Sequence, residues 1–258
     1  MSKIFISGGD SFTFGHELSD DENGKRASRK TWAFKYYQEQ PQWQMIEYIC
    51  TAKGGIGNSA IARRTFDAMA MHGFENVNHV AVMWTFANRF EFRFNQDTGE
   101  RDTPWYSITP WTHESNIDRI RNSFANVNDA ILNHHAQHNK HMTDKGISDF
   151  SKNYYKHVGD SEVWEYYTTY KEILFLQQYL VSNNIPYVFT HVEPLFVEQS
   201  TDVDLDVVRK QIDMSHFYYF DGFYRWACEN NFPIGTTHPL EPAHATFSHM
   251  LKKFTDQI

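Results

Sequence analysis

Gly9-Asp10-Ser11 follows closely on the apolar run Ile4-Phe5-Ile6, within the string Gly8-Gly9-Asp10-Ser11-Phe12-Thr13-Phe14-Gly15. An apolar run closed by glycine reads as a first strand, and the residues after it as the start of a helix. The Ser11 hydroxyl then stands at the C-terminal edge of a sheet, with its backbone N–H at a helix N-terminus. An exposed hydroxyl beside a donor aimed at developing negative charge suits a nucleophile that attacks a carbonyl. A plain strand-to-helix turn capped by Asp10 or Ser11 explains the same tripeptide, so the tripeptide alone leaves both readings open.

Three further segments carry candidate chemistry. Gly54-Gly55-Ile56-Gly57-Asn58-Ser59-Ala60 lies between a second strand and its helix, where glycines let backbone N–H groups approach an anion. Read as Gly-x-Gly-x-x-Ala, Gly55 to Ala60 also fits a dinucleotide fingerprint, without the acidic residue that holds a ribose hydroxyl. A tight loop with no ligand fits equally. The third strand runs out into Trp84-Thr85-Phe86-Ala87-Asn88-Arg89-Phe90-Glu91, where the Asn88 amide can point at the same space as Ser11. Arg89 and Glu91 form an ion pair in one reading; in the other, Arg89 holds an acidic substrate group. Near the C-terminus, His238-Pro239-Leu240-Glu241-Pro242-Ala243-His244 presents an imidazole from a loop just before a helix, as a general base requires. A lone surface histidine is the plain alternative.

In this order the four segments resemble the SGNH (GDSL) hydrolase superfamily. Gly9-Asp10-Ser11 with Gly15 matches the first block, Gly57-Asn58 the glycine of the second, Asn88 the asparagine of the third, and His238-Pro239 with His244 the fifth. The resemblance implies an ester hydrolase with Ser11 as nucleophile and His238 as base. Its oxyanion hole would be the N–H groups of Ser11 and Gly57 with the Asn88 side-chain amide, and no cofactor is required. Asp10, Glu241 and Arg89 are the supporting candidates. Two positions depart from the pattern. Phe86-Ala87-Asn88-Arg89 lacks the family's glycine and aspartate, and Gly235 stands three residues before His238, where the orienting acid is expected. A backbone carbonyl, Glu241, Glu193 or Asp221 would have to replace that acid, or a serine–histidine dyad would work without one.

The elements that position these residues follow from periodicity. Ile4–Ser7, Met45–Cys50, His79–Trp84 and Pro186–His191 read as strands. Helices are expected over Thr31–Gln40, Ser59–His72, Val163–Asn183, Phe217–Asn230 and Glu241–Phe254. The alternation predicts an α/β three-layer α/β/α sandwich with a parallel sheet of four or five strands, the fifth a short one before His238. No repeat or domain boundary is evident, so residues 1–258 are expected to form a single domain, with about 92–162 as a cap-like insertion carrying its own helix near Asn116–Asn139. The cap is rich in aromatics, among them Trp105, Tyr106, Trp111, Tyr154, Tyr155, Trp164, Tyr166 and Tyr167. Most would pack, with one or two free to line a sugar cleft.

Composition narrows the function classes. The chain has 258 residues, 41% hydrophobic and 22% charged, with a net charge of −8. An acidic protein makes a poor nucleic-acid binder. Lys25, Arg26, Arg29 and Lys30 form the one dense basic stretch and, following Asp20, Asp21 and Glu22, read as a solvated loop. With no run of ~18 apolar residues, no membrane partner is expected. No secretory signal is apparent, which points to a cytoplasmic location, or to a phage-encoded or particle-borne protein. Cys50 and Cys228 are expected as reduced core residues. His134, His138 and His141 share one helix face but lack an acid to complete a zinc site, so a solvated face is expected. The expected partner is a small-molecule or carbohydrate ester, an O-acetylated carbohydrate by preference. The alternatives are a catalytically degenerate relative that binds a glycan or a protein, and a dinucleotide-dependent enzyme using Gly55–Ala60.

Overall fold

A computed structural model describes residues 3–22, 24–94, 105–112, 142–143, 145–196 and 202–258. Strands β1 (Lys3–Gly8), β2 (Ile46–Cys50), β3 (Val77–Trp84) and β6 (Tyr187–His191) form a parallel sheet in the order β2-β1-β3-β6. The four strands anticipated from the sequence are all present, each within two residues of its expected bounds. Alternation along the strands sorts side chains to opposite faces. Ile4, Ile6, Val80, Val82 and Phe189 enter one core, while Phe5, Ala81, Met83 and Val188 enter the other. Helices α3 (Asn58–His72) and α5 (Glu162–Ser182) cover the first face, packing Ile61, Met69, Ile173 and Leu176 against it. Helices α2 (Trp32–Gln38), α7 (Phe223–Glu229) and α8 (Glu241–Thr255) cover the second with Trp32, Tyr36, Phe223 and Phe247. The result is a three-layer α/β/α fold.

Strand order decides where a site can form. The chain passes from β1 outward to β2, then crosses back to β3 on the other side of β1. The connections leave in opposite directions, so a crevice opens beyond the C-terminal ends of β1 and β3, the usual place for a ligand in such sheets. The segments carrying Ser11 and Asn88 follow those two ends.

Three expectations about the fold need correction. The expected helix from Phe217 begins only at Phe223. Phe217 and Tyr218 instead lie beside β6, with a Phe189–Phe217 bridge and a Tyr218 N–H bond to Phe189 O at 2.8 Å. The physical reason is period 2: Phe217 faces one core and Tyr218 and Phe220 the other. The expected strand before His238 is only an isolated Ile234–Pro239 bridge. Both cysteines are free, as expected, but Cys228 is exposed and Cys50 only half-buried.

The insertion begins with an antiparallel hairpin, β4 (Phe90–Arg93) and β5 (Trp105–Ile108), backed by α4 (Ile147–Tyr154). Phe90, Ile108, Met142, Ile147 and Tyr155 give it a small core of its own. The helix expected near Asn116–Asn139, with His134, His138 and His141, lies outside the described residues. Among the described residues, no helix is long and apolar enough to cross a membrane, and no cluster of histidine, cysteine and acidic side chains is arranged to hold a metal ion.

Candidate active site

Ser11 opens the short helix α1 (Ser11–Phe14) directly after β1. Asp10 caps that helix, its Oδ1 accepting the Phe12 N–H at 3.0 Å, so the backbone at Ser11 is held by a buried carboxylate. His238 comes from the turn between α7 and α8. Bonds from Gly235 N–H to His238 O (2.8 Å) and Leu240 N–H to Pro233 O (2.9 Å) close that turn. The Phe12 ring packs on the imidazole at 4.6 Å between centroids. Side chains far apart in sequence thus meet, with Ser11 Oγ 2.8 Å from His238 Nε2.

The acid that faces the far nitrogen of His238 is Glu17, which sequence reasoning missed. Its Oε1 lies 3.1 Å from His238 Nδ1 and accepts the Thr237 hydroxyl at 2.7 Å. The N–H groups of Thr236 and Thr237 also donate to this carboxylate, and Thr237 Oγ1 is 2.8 Å from His238 Nδ1. With the Nδ1 proton directed at Glu17 and Thr237, Nε2 is left to accept from Ser11. Burial would push the Glu17 carboxyl up, but hydrogen bonds from His238 and Thr237 and the charge of His238 outweigh it and hold the pKa at about 2. Glu17 also adopts a left-handed backbone, φ 67°, uncommon for a residue with a side chain.

The substitutes considered for the missing acid sit elsewhere. Glu241 accepts the Ser19 N–H at 2.8 Å and pairs with Lys30 at 3.7 Å. Glu193 gives its backbone carbonyl to His191 Nδ1, and Asp221 is exposed. His244, the second histidine of that motif, is buried, and its Nδ1 accepts the Trp32 N–H at 3.0 Å, a structural role at the start of α2.

Arg89 departs from the expected Glu91 pairing. Its Nη1 binds Asp10 Oδ2 at 3.1 Å, and Thr85 Oγ1 donates to the same oxygen at 2.6 Å. Glu91 pairs instead with Arg63 of α3 at 2.8 Å. The Arg89–Asp10 bridge therefore ties the end of β3 to the residue before Ser11. Gly57 abuts the same segment, since a Cβ there would meet the Arg89 carbonyl oxygen at 2.3 Å. Only glycine permits that approach. Asn58 stitches the loops together, its Oδ1 accepting Thr85 N–H at 2.8 Å and its Nδ2 donating to Thr85 O at 3.1 Å.

The three oxyanion candidates thus follow the C-terminal ends of the neighbouring strands β2, β1 and β3. The Gly57 N–H is engaged at 3.3 Å by Ser107 Oγ of β5, a long bond that a stronger acceptor can replace. Among the described residues Asn88 Oδ1 is buried with no hydrogen-bond partner, while the Asn88 backbone carbonyl accepts the Tyr155 hydroxyl at 2.6 Å. The cap thus touches the site through Ser107, which the sequence did not single out, and through Tyr155, one of the cap aromatics it did.

A hydroxyl bonded to an imidazole whose far nitrogen faces a carboxylate is equipped for acyl transfer. No family model matches the chain, and no curated protein sequence matches it. Among solved structures it is similar to a psychrotrophic esterase from Pseudoalteromonas sp., with 9% identity and a TM-score of 0.48, covering 99% of this chain and 98% of that one. It is also similar to a member of the lipolytic protein G-D-S-L family from Veillonella parvula, with 12% identity, a TM-score of 0.45 and full coverage of both chains. At such identities and TM-scores, function has to be read from the site itself.

Proposed function

We propose that the protein is a serine ester hydrolase acting on a short-chain acyl ester. The observation that carries this reading is the Ser11 Oγ–His238 Nε2 contact of 2.8 Å with Glu17 on the opposite ring nitrogen. Ser11 Oγ attacks the ester carbonyl as His238 Nε2 takes its proton, and Glu17 stabilises the imidazolium that forms. The carbonyl oxygen becomes negative and takes the Ser11 N–H, the Gly57 N–H released from Ser107, and the Asn88 amide. Each such donor typically lowers the barrier by ~3 kcal/mol. The tetrahedral adduct collapses, the alcohol leaves with the proton from His238, and water then hydrolyses the acyl-Ser11 by the same steps. No cofactor enters.

The acid at Glu17 argues against the degenerate, binding-only alternative, which drew its support from Gly235. The Ser11–His238 pair and the packing of Gly57 on Arg89 argue against the dinucleotide alternative. The aromatic cap makes an O-acetylated carbohydrate the preferred substrate class.

The test is hydrolysis of p-nitrophenyl acetate by the protein, its Ser11→Ala variant and its His238→Ala variant. Turnover abolished by both substitutions is expected, because nucleophile and base act as a unit. Equal background rates in all three would overturn the reading.

A further inference from the structure

Asn88, one of the three oxyanion candidates, sits in the segment 85–89 that joins β3 to β4. The main domain holds that segment at both ends. Thr85 exchanges backbone bonds with the Asn58 amide and gives its hydroxyl to Asp10. Arg89 binds Asp10 and lies over the Phe86 ring at 4.2 Å. Asn88 between them is held from the other side. Among the described residues it makes one hydrogen bond, from the Tyr155 hydroxyl to its backbone carbonyl at 2.6 Å, and its Oδ1 has no partner.

Tyr155 is built to keep that contact. It is buried, with its ring packed against Phe90 at 5.9 Å and Tyr154 at 5.8 Å between centroids. The same hydroxyl lies 3.0 Å from the backbone carbonyl of Ile108 in β5, so one proton serves two carbonyls. Burial pushes the phenol up, which keeps it a donor. At Tyr155 the helix α4 widens into a π turn, Tyr155–Gly159, closed by the Asp160 N–H on the Tyr155 carbonyl at 3.1 Å. A Cβ at Gly159 would lie 2.7 Å from the Tyr154 ring and 3.0 Å from the Tyr155 ring, so glycine lets the turn close against both. Such turns are rare and concentrate at functional sites. An oxyanion donor works within about 2.7–3.1 Å of the developing charge, and a misplacement of ~1 Å can cost up to 10²-fold. We propose that Tyr155 is a positioning residue of the candidate active site: through its hydroxyl the cap fixes the Asn88 backbone and so aims the Asn88 amide at the oxyanion. The inference rests on the ester-hydrolase reading above.

The test is a double-variant cycle on p-nitrophenyl acetate hydrolysis. Active sites are counted from the p-nitrophenol released at completion by diethyl p-nitrophenyl phosphate, so that losses of folded protein cancel. Asn88→Ala is expected to lower kcat about a hundredfold, as loss of one oxyanion donor does. Tyr155→Phe, which keeps the ring, is expected to lower kcat about tenfold with KM within about twofold of wild type. In the Asn88→Ala background Tyr155→Phe should cost nothing further, because a residue that acts through Asn88 has nothing left to aim. Tyr154→Phe, one position away, loses the hydroxyl that accepts the Trp164 Nε1–H at 2.8 Å and should leave kcat alone. A kcat for Tyr155→Phe or for Asn88→Ala equal to wild type would overturn the inference. So would a tenfold loss repeated in full in the Asn88→Ala background. These results leave the esterase reading intact as long as Ser11→Ala is inactive. A Ser11→Ala variant as active as wild type would overturn that reading, and this inference with it.

Discussion

A Cβ on residue 235 would lie 2.1 Å from Oε2 of Glu17. The glycine and the carboxylate are therefore two halves of one arrangement. The acid that orients His238 enters from the turn after α1, and Gly235, three residues before His238, leaves the room it needs. An acidic side chain rooted at 235 and Glu17 in its present place would exclude each other. What reads in the sequence as a missing acid is an acid moved to another segment.

Glu17→Gln should keep the fold and most of the packing while removing the charge opposite His238. A loss of about 10²–10⁴ in kcat is expected, as when the orienting acid of a triad is neutralised, with KM for p-nitrophenyl acetate little changed. Steady-state kinetics beside far-ultraviolet circular dichroism separates this from unfolding. Activity within a factor of two of wild type would show that Glu17 is dispensable.

Gly235→Ala puts a methyl against the far end of the Glu17 side chain, which must swing away. A lower kcat with little loss of thermal stability is expected, since the position does not have a positive φ. In the Glu17→Ala background the space is vacated. There, adding Gly235→Asp should recover part of the lost kcat, whereas Gly235→Asp alone should impair it. Failure of the double variant to exceed Glu17→Ala would count against the relocation.

The pH dependence of stability follows from the same carboxylate. Its ordinary value of 4.5 is lowered to about 2 in the folded protein. A depressed carboxyl stabilises the fold at pH above its unfolded value, and that contribution is lost as pH falls through the folded one. The difference in Tm between wild type and Glu17→Gln should hold steady from pH 7 to 5, shrink below about 4.5 and close near 2. A difference that grows on acidification would contradict the assignment.

Asp10 is fully buried and the Arg89 side chain is 15% exposed. Asp10→Ala strands the guanidinium and takes an acceptor from Thr85 and Phe12, so a loss of about 3–5 kcal/mol in unfolding free energy is expected. Adding Arg89→Met removes the stranded charge, and the double variant should be more stable than the sum of the single losses implies. A urea-denaturation cycle measures this coupling, and strict additivity would mean the pair does not interact.

Much of the layout was legible in the sequence because it rests on local signals. Continuous apolar runs mark β1 and β3, and glycine-bounded turns mark the points where Ser11 and Gly57 emerge. Ser11 and His238 were legible as partners because an uncommon motif and a His-Pro ahead of a helix bracket the chain in a known order. Glu17 was not, since its role depends on a turn with φ 67° that brings it under a loop more than two hundred residues away, and nothing in Gly15-His16-Glu17-Leu18 marks it. The partner of Arg89 was not legible for a similar reason. Glu91, two positions along, is the nearer carboxylate in sequence, but β4 directs it toward Arg63, while Asp10 lies under the Arg89 guanidinium in space. Ser107 and Tyr155 reach the site only through the packing of the cap, which periodicity does not specify.

The most direct test of the central claim is covalent capture of the nucleophile. Incubation with a fluorophosphonate, followed by intact-mass and peptide mass spectrometry, should give one adduct per chain, located on Ser11. The adduct should be absent in Ser11→Ala and form far more slowly in His238→Ala and Glu17→Gln. Labelling at another residue, or of Ser11→Ala at the wild-type rate, would contradict the assignment of Ser11 as a nucleophile activated by His238 and Glu17.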